Sequence, residues 1–196
     1  SNFSGWHLMK SLAVADKDSR QRFICQQIHY TLQSREAENE LVPIAISEEL
    51  GTLVWSPLAG GLLTGKYKRG ESGPKGSRHF ERKWKNPPIH DEDKLYDIID
   101  TIIDIANNRS VPPSQISLAW LLSRPTITSL IIGGRSEKQF NENLPAADLI
   151  LSDEELEKLN KVSKPKLLYP YWHQQFMGKE RFSEADLGLH KWHMGN

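Results

Sequence analysis

The chain has 196 residues, with 25 Lys plus Arg balanced by 25 Asp plus Glu, a single cysteine and 38% hydrophobic residues, the composition of one ordinary globular unit. The formal net charge of zero excludes a generally basic nucleic-acid binder. The longest apolar stretches, 52–63 and 129–132, are short and bounded or broken by Gly, Pro or Ser, far from the ~20 residues of a membrane span. No nucleic-acid or membrane partner is therefore expected. A lone Cys25 forms no internal disulfide, so a reducing, cytoplasmic setting is the default expectation.

The opening Ser1-Asn2-Phe3-Ser4 has neither an initiator Met nor the regions of a signal peptide, which suggests a start within something longer. Ser4 is positioned to cap a helix with Trp6, Met9, Leu12 and Ala13 at helical spacing, ending in the charged stretch 16–22. The run Phe23 to Ile28 predicts a buried strand. Residues 36–50 read as a helix with Leu41, Ile44 and Ala45 on one side, Gly51 as its stop, and Pro43 forcing a kink or a restart. Thr52 to Ser56 is a second strand, which runs into a long Gly/Pro/Lys/Arg-rich segment, 58–90, of the kind that forms functional loops or lids.

Beyond it, Leu95, Ile98, Ile99, Ile102 and Ala106 mark an amphipathic helix. A second helix, 114–123, follows Pro112-Pro113 with Ile116, Leu118, Ala119, Leu121 and Leu122 as its apolar members. Ser129 to Ile132 is a third strand, closed by Gly133-Gly134 and followed by a helix from about Ser136. Ser152 and Glu155 have capping-box spacing at the start of the last regular helix. The aromatic tail, with Tyr169, Tyr171, Trp172 and Phe176, is expected to pack on the body. Strands alternating with helices predict an α/β fold with parallel strands, a barrel or an open sheet.

Gly60 to Lys66 fits the first seven positions of a phosphate-binding P-loop, but Tyr67 stands where a magnesium-holding Ser or Thr belongs, and a Gly/Pro loop follows where such a fold needs a helix. The segment therefore reads as a phosphate cradle of small residues with Lys66 as its charge, or as a flexible turn. Gly133-Gly134-Arg135 puts amides and a guanidinium at a strand end, suited to a phosphate dianion, or forms only a turn. Trp55, Gln27 and the Ser1-Asn2 pair, all at strand ends, suit a planar ring carrying a carboxamide, although Trp55 alone reads equally as a core aromatic. His190 and His193 lack a third metal ligand, and His29 lacks a nucleophile partner.

Together, Ser1-Asn2-Phe3-Ser4, Gln27-Ile28-His29-Tyr30, the block from Trp55-Ser56-Pro57-Leu58 to Lys66-Tyr67, and Ile132-Gly133-Gly134-Arg135 through Gln139 to Glu142-Asn143 closely resemble the aldo-keto reductase family. The order and spacing agree from residue 1 to about Ser163. The Trp-Ser-Pro-Leu block is more similar to bacterial reductases and potassium-channel β subunits than to mammalian aldose reductases.

The resemblance implies a (β/α)8 TIM barrel with NADP(H) across its C-terminal rim. It implies that Ser1, Asn2 and Gln27 bind the nicotinamide carboxamide and that Trp55 stacks on the ring. Ser56, Leu58, Gly60 and Lys66, with Pro57 and Ala59 in the same block, would hold the pyrophosphate. Arg78 would belong to a loop folding over the cofactor. Gly133, Arg135 and Gln139 would surround the adenosine 2′-phosphate, and Glu142 and Asn143 would meet the adenine.

By the family's strand order, the chain would carry only the last three βα units of the barrel, 1–163, and a C-terminal extension, 164–196. The catalytic Asp, Tyr, Lys and His of such reductases would precede Ser1, so no catalytic residue and no metal ligand is assigned here. A three-strand piece would leave sheet edges and core uncovered, which implies an N-terminal half or a second copy as partner. The implied activity is NADPH-dependent reduction of a small aldehyde or ketone, with this chain inactive alone. The alternatives are an NADP-binding, redox-sensing regulatory subunit and an inactive truncated fragment.

Overall fold

Three strands, β1 (Cys25–His29), β2 (Gly51–Trp55) and β3 (Ile127–Ile131), form one parallel sheet in the order β1-β2-β3. The structure is a computed structural model that describes residues 1–71, 73–77, 79 and 87–186; Arg78, His190 and His193 lie outside the described residues. Parallel strands need long crossovers, supplied by α2 (Leu41–Ser47) between β1 and β2, and by α3 (Glu92–Arg109) with α4 (Pro113–Leu122) between β2 and β3. Helix α1 (Gly5–Lys17) precedes the sheet, and α5 (Glu137–Asn143), α6 (Asp153–Val162) and α7 (Tyr171–Met177) follow it. The expected α/β class with parallel strands is observed.

The sheet is buried on one face. Gln26, Ile28, Thr52 and Val54 are buried and Leu130 packs against the same core, whereas Gln27, His29, Leu53 and Trp55 on the other face are half-buried and Cys25, Ser129 and Ile131 are exposed. Helix α3 buries Leu95, Ile98, Ile99, Ile102, Ile105 and Ala106 in the same core, each large side chain contributing about 2 kcal/mol by leaving water. Asp91 caps its N-terminus by accepting from the Lys94 amide. Helix α4 is buried almost all round, from Ser114 to Leu121. Helix α6 starts with the expected Ser152/Glu155 capping box.

A buried ionic cluster ties β1 to α4 and α6. The Glu38 carboxylate accepts from Tyr30 Oη and from Arg35 Nε at 2.9 Å, and Arg124 Nη2 lies 3.6 Å away. Both guanidiniums lie over the Trp120 ring and reach Asn160. Burial, reinforced by the Glu38 charge, pushes the Tyr30 phenol well above its usual range.

Several expectations change at element boundaries. Helix α1 buries Leu8 and Leu12, while Trp6, Met9 and Ala13 are solvent-facing. Ser4 sits at its N-cap without a side-chain capping bond, its hydroxyl lying 2.7 Å from His7 Nδ1 instead. Strand β1 starts at Cys25, leaving Phe23 and Ile24 exposed. The predicted helix over 36–50 is a 3-10 turn, Glu36–Glu38, followed by α2, whose first turn accommodates Pro43. Gly51 does not stop that helix. The left-handed residue there is Glu49, and Gly51 opens β2, where a Cβ would meet Thr128 Oγ1 at 2.8 Å. Leu122 is partly exposed, and the tail does not pack as expected: Tyr169, Trp172 and Phe176 are exposed, and Tyr171 is anchored by donating to Glu40.

Candidate functional site

Because the strands are parallel, their carboxyl ends share one edge, and the segments that follow them converge there, the usual location of ligand sites in such sheets. At the end of β1 and β2 lies a first cluster. Asn2 adopts a left-handed backbone (φ 58°), its amide donates to the Gln27 carbonyl at 3.0 Å, and its Oδ1 accepts from Trp55 Nε1 at 2.8 Å. Ser1 Oγ donates to the same Gln27 carbonyl at 3.3 Å. These bonds bring Ser1, Asn2, Gln27 and Trp55 together, with the indole pinned by its N–H and half-buried. Asn2 Oδ1 is thereby committed to the indole, leaving its Nδ2 donor for a ligand.

Trp55 passes directly into a second cluster, a cleft of about 600 Å³. Its walls include Ser56, Pro57, Leu58, Gly60, Lys66, Gly133, Arg135, Gln139, Glu142 and Asn143, so ten of the predicted residues share one groove. Ala59 does not join them: it is fully buried in the core. Sequence reasoning missed Pro112 and Ser114, which line the same cleft at the start of α4. The only hint was the Pro-Pro-Ser helix start, which gives no indication of what it faces.

The loop after β2 departs from a simple amide cradle. Ser56, Ala59, Gly60, Gly61 and Gly65 all have positive φ, and the resulting turns consume their own amides. Ala59 N–H donates to the Ser56 carbonyl, Gly60 N–H to Ser56 Oγ at 3.2 Å, and Gly61 N–H to the Leu58 carbonyl. Lys66 and the Ser56 hydroxyl proton add side-chain donors to this loop, whose Ala59, Gly60 and Gly61 amides are already engaged. Gly61 is required where it stands: its φ is 97°, and a Cβ would meet Lys66 Nζ at 2.9 Å.

On the opposite wall, Arg135 Nη1 donates to the Gly76 carbonyl at 3.2 Å, and its amide donates to Gln139 Oε1 at 2.9 Å. Arg135 thus links the β3 end to the long loop. Gly134 lies so close to α5 that a Cβ would meet Ser136 O at 3.2 Å and the Phe140 amide at 3.3 Å. Glu142 places a carboxylate at the same wall and its carbonyl accepts from Gln115 Nε2. The indole–amide cluster thus adjoins in sequence a cleft lined, among the described residues, by Lys66, Arg135, the Glu142 carboxylate and the Asn143 carboxamide.

The family model for the aldo/keto reductase family matches residues 1–164. The chain is 34% identical over 162 residues to an uncharacterized oxidoreductase, YrpG, of Bacillus subtilis, covering 83% of this chain and 47% of that protein. It is 34% identical over 177 residues to a probable voltage-gated potassium channel subunit beta of Oryza sativa, covering 87% and 54% respectively. It is also 25% identical over 178 residues to a versiconal hemiacetal acetate reductase of Aspergillus parasiticus, covering 87% and 49%. The chain spans about half the length of the curated relatives it matches. With the matched segment containing β1, β2, β3 and both clusters, the chain belongs to the aldo/keto reductase family.

Proposed function

We propose that the chain carries the cofactor-holding part of an NADPH-dependent aldo/keto reductase: the last three βα units of a (β/α)8 barrel, 1–163, with an extension, 164–196. The observation that carries the reading is the junction of the indole–amide cluster with a two-cation cleft at Trp55-Ser56. The donor set fits a phosphorylated dinucleotide. An aromatic face and amide groups suit a nicotinamide, Lys66 and Ser56 suit the pyrophosphate, and Arg135 with Gln139 suits a ribose phosphate. Glu142 and Asn143 suit an adenine edge.

NADPH, when bound, supplies the hydride that converts the carbonyl carbon of an aldehyde or ketone to an alcohol. Trp55 holds the ring plane, with Asn2 fixing the indole, and Gln27 orients the carboxamide. Lys66 and Arg135 hold the charged end, so binding energy from remote groups sets the reacting geometry. The exposed sheet face and the two edge strands support a partner segment, an N-terminal half or a second copy, covering Cys25, Ser129 and Ile131. No residue of this chain is assigned to protonating the carbonyl oxygen.

A second reading, a cofactor-binding regulatory subunit, is favoured by the likeness to probable potassium channel β subunits. Carbonyl-dependent NADPH oxidation by the full-length protein decides between them. Rapid turnover supports the reductase, whereas tight NADPH binding without turnover supports the regulatory subunit. Absence of NADPH binding refutes both.

A further inference from the structure

His29 and Trp55 are the last residues of β1 and β2 and stand directly opposite each other in the parallel register. Both lie on the half-buried face of the sheet, with Gln27 two residues earlier in β1. The imidazole centroid lies 4.6 Å from the indole, with the rings inclined by 33°. His29 Nδ1 is 3.4 Å from the Trp55 carbonyl. A carbonyl can only accept, so Nδ1 carries the proton and the neutral ring keeps its lone pair on Nε2.

That Nε2 is buried and has no hydrogen-bond partner among the described residues. An unpartnered buried acceptor costs stability, and the long Nδ1 contact to the Trp55 carbonyl is the hydrogen bonding that the ring makes among the described residues. What the ring does provide is a flat surface against the indole. Burial lowers the imidazole's proton affinity, outweighing the opposing influences of the Trp55 carbonyl and Glu36. A neutral ring packs on the indole without introducing a charge beside it.

We infer that His29 is a positioning residue that, with Asn2, clamps the Trp55 indole in a preset plane before any ligand arrives. Asn2 holds one edge through the 2.8 Å bond from Nε1, and His29 blocks rotation from one face. An incoming planar ring then meets an indole already fixed, and the ordering cost is avoided at binding. This deepens the ring-binding reading of Trp55 and rests on it for its consequence. The clamp itself is a property of the unliganded protein.

The test uses the full chain and three variants, His29→Ala, His29→Asn and His29→Phe. The readout is hydrogen exchange at the Trp55 indole N–H by NMR, with the signal assigned from its loss in Trp55→Phe. His29→Ala and His29→Asn should exchange about two- to tenfold faster, the worth of one aromatic stack, whereas His29→Phe should restore the wild-type rate. In the same proteins, NADPH binding should weaken in His29→Ala and recover in His29→Phe, with adenosine 2′,5′-bisphosphate binding unchanged. Unaltered indole exchange in His29→Ala overturns the clamp, as does rescue by His29→Asn rather than His29→Phe. Wild-type protein that fails to bind NADPH refutes the ring-binding reading instead, while the exchange rates still decide the clamp.

Discussion

Replacing Glu38 with alanine probes what holds the end of β1 to the helical layer. The Glu38 side chain is 2% exposed, and those of Arg35 and Arg124 are 1% and 0% exposed. Removing the carboxylate leaves two guanidiniums and the Tyr30 hydroxyl in the interior without their shared acceptor. Breaking a buried pair in this way costs about 3–5 kcal/mol, a large share of the ~5–15 kcal/mol that holds a typical domain together. Glu38→Gln keeps an oxygen acceptor but loses the charge. Its cost should be nearer ~2 kcal/mol, the value of a hydrogen bond to a charged group. Urea unfolding followed by circular dichroism measures both. A Glu38→Ala loss below ~1 kcal/mol would refute the reasoning, as would equal losses for the two variants.

Arg135→Ala should weaken NADPH binding by at least ~1 kcal/mol and leave NADH nearly unchanged, as measured by fluorescence titration; equal losses contradict a role at the ribose phosphate. Gly65→Ala must hold an L residue at φ 74° and press a Cβ to 2.8 Å from Pro113 Cγ. A stability loss of about 2 kcal/mol or more is expected in urea unfolding, and a neutral result removes that contact from the account. The burial that lowers the His29 pKa makes the unfolded chain take up a proton first as pH falls below 6.5. Stability should therefore decline from pH about 6.5 downward, and less steeply in His29→Phe; parallel wild-type and variant profiles would contradict it. Tyr30 has the opposite sign: its raised pKa keeps the stabilisation intact below the ordinary value of 10.0 and loses it above, as the unfolded phenol ionises. Alkaline unfolding of Tyr30→Phe, with its shallower dependence, checks this.

Much of the architecture was legible because local patterns and tertiary packing agree. The isoleucine spacing of α3 and the Ser152/Glu155 box of α6 name their own helices, and the short apolar runs bounded by polar residues mark strands. The failures lie where local signals meet a face that the pattern cannot see. Trp6 and Met9 fit a helical stripe as well as Leu8 and Leu12 do, yet only the leucines meet the small core formed with Ala45 and Leu50. The exposed tail aromatics were expected to pack because large apolar groups normally find cover.

The site was legible mainly through the four motifs taken together. Composition could not distinguish a phosphate cradle at 60–66 from a turn, and the structure has both aspects: a tight turn in which Gly60 and Gly61 use their own amides, with Lys66 at the cleft. Ala59 was misplaced because a motif gives adjacency but not direction. Its backbone follows the cleft-lining Leu58, but its side chain points into the core. His29 was read only as a histidine without a nucleophile partner, because its relation to Trp55 exists only through the cross-strand register.

The central claim is that the indole cluster and the Arg135 wall grip the two ends of one molecule. Calorimetric titration of wild-type, Trp55→Ala and Arg135→Ala full-length protein with NADPH, reduced nicotinamide mononucleotide and adenosine 2′,5′-bisphosphate tests it directly. The account predicts that Trp55→Ala impairs only the mononucleotide and NADPH, and that Arg135→Ala impairs only the bisphosphate and NADPH. NADPH affinity that responds to neither substitution would contradict it.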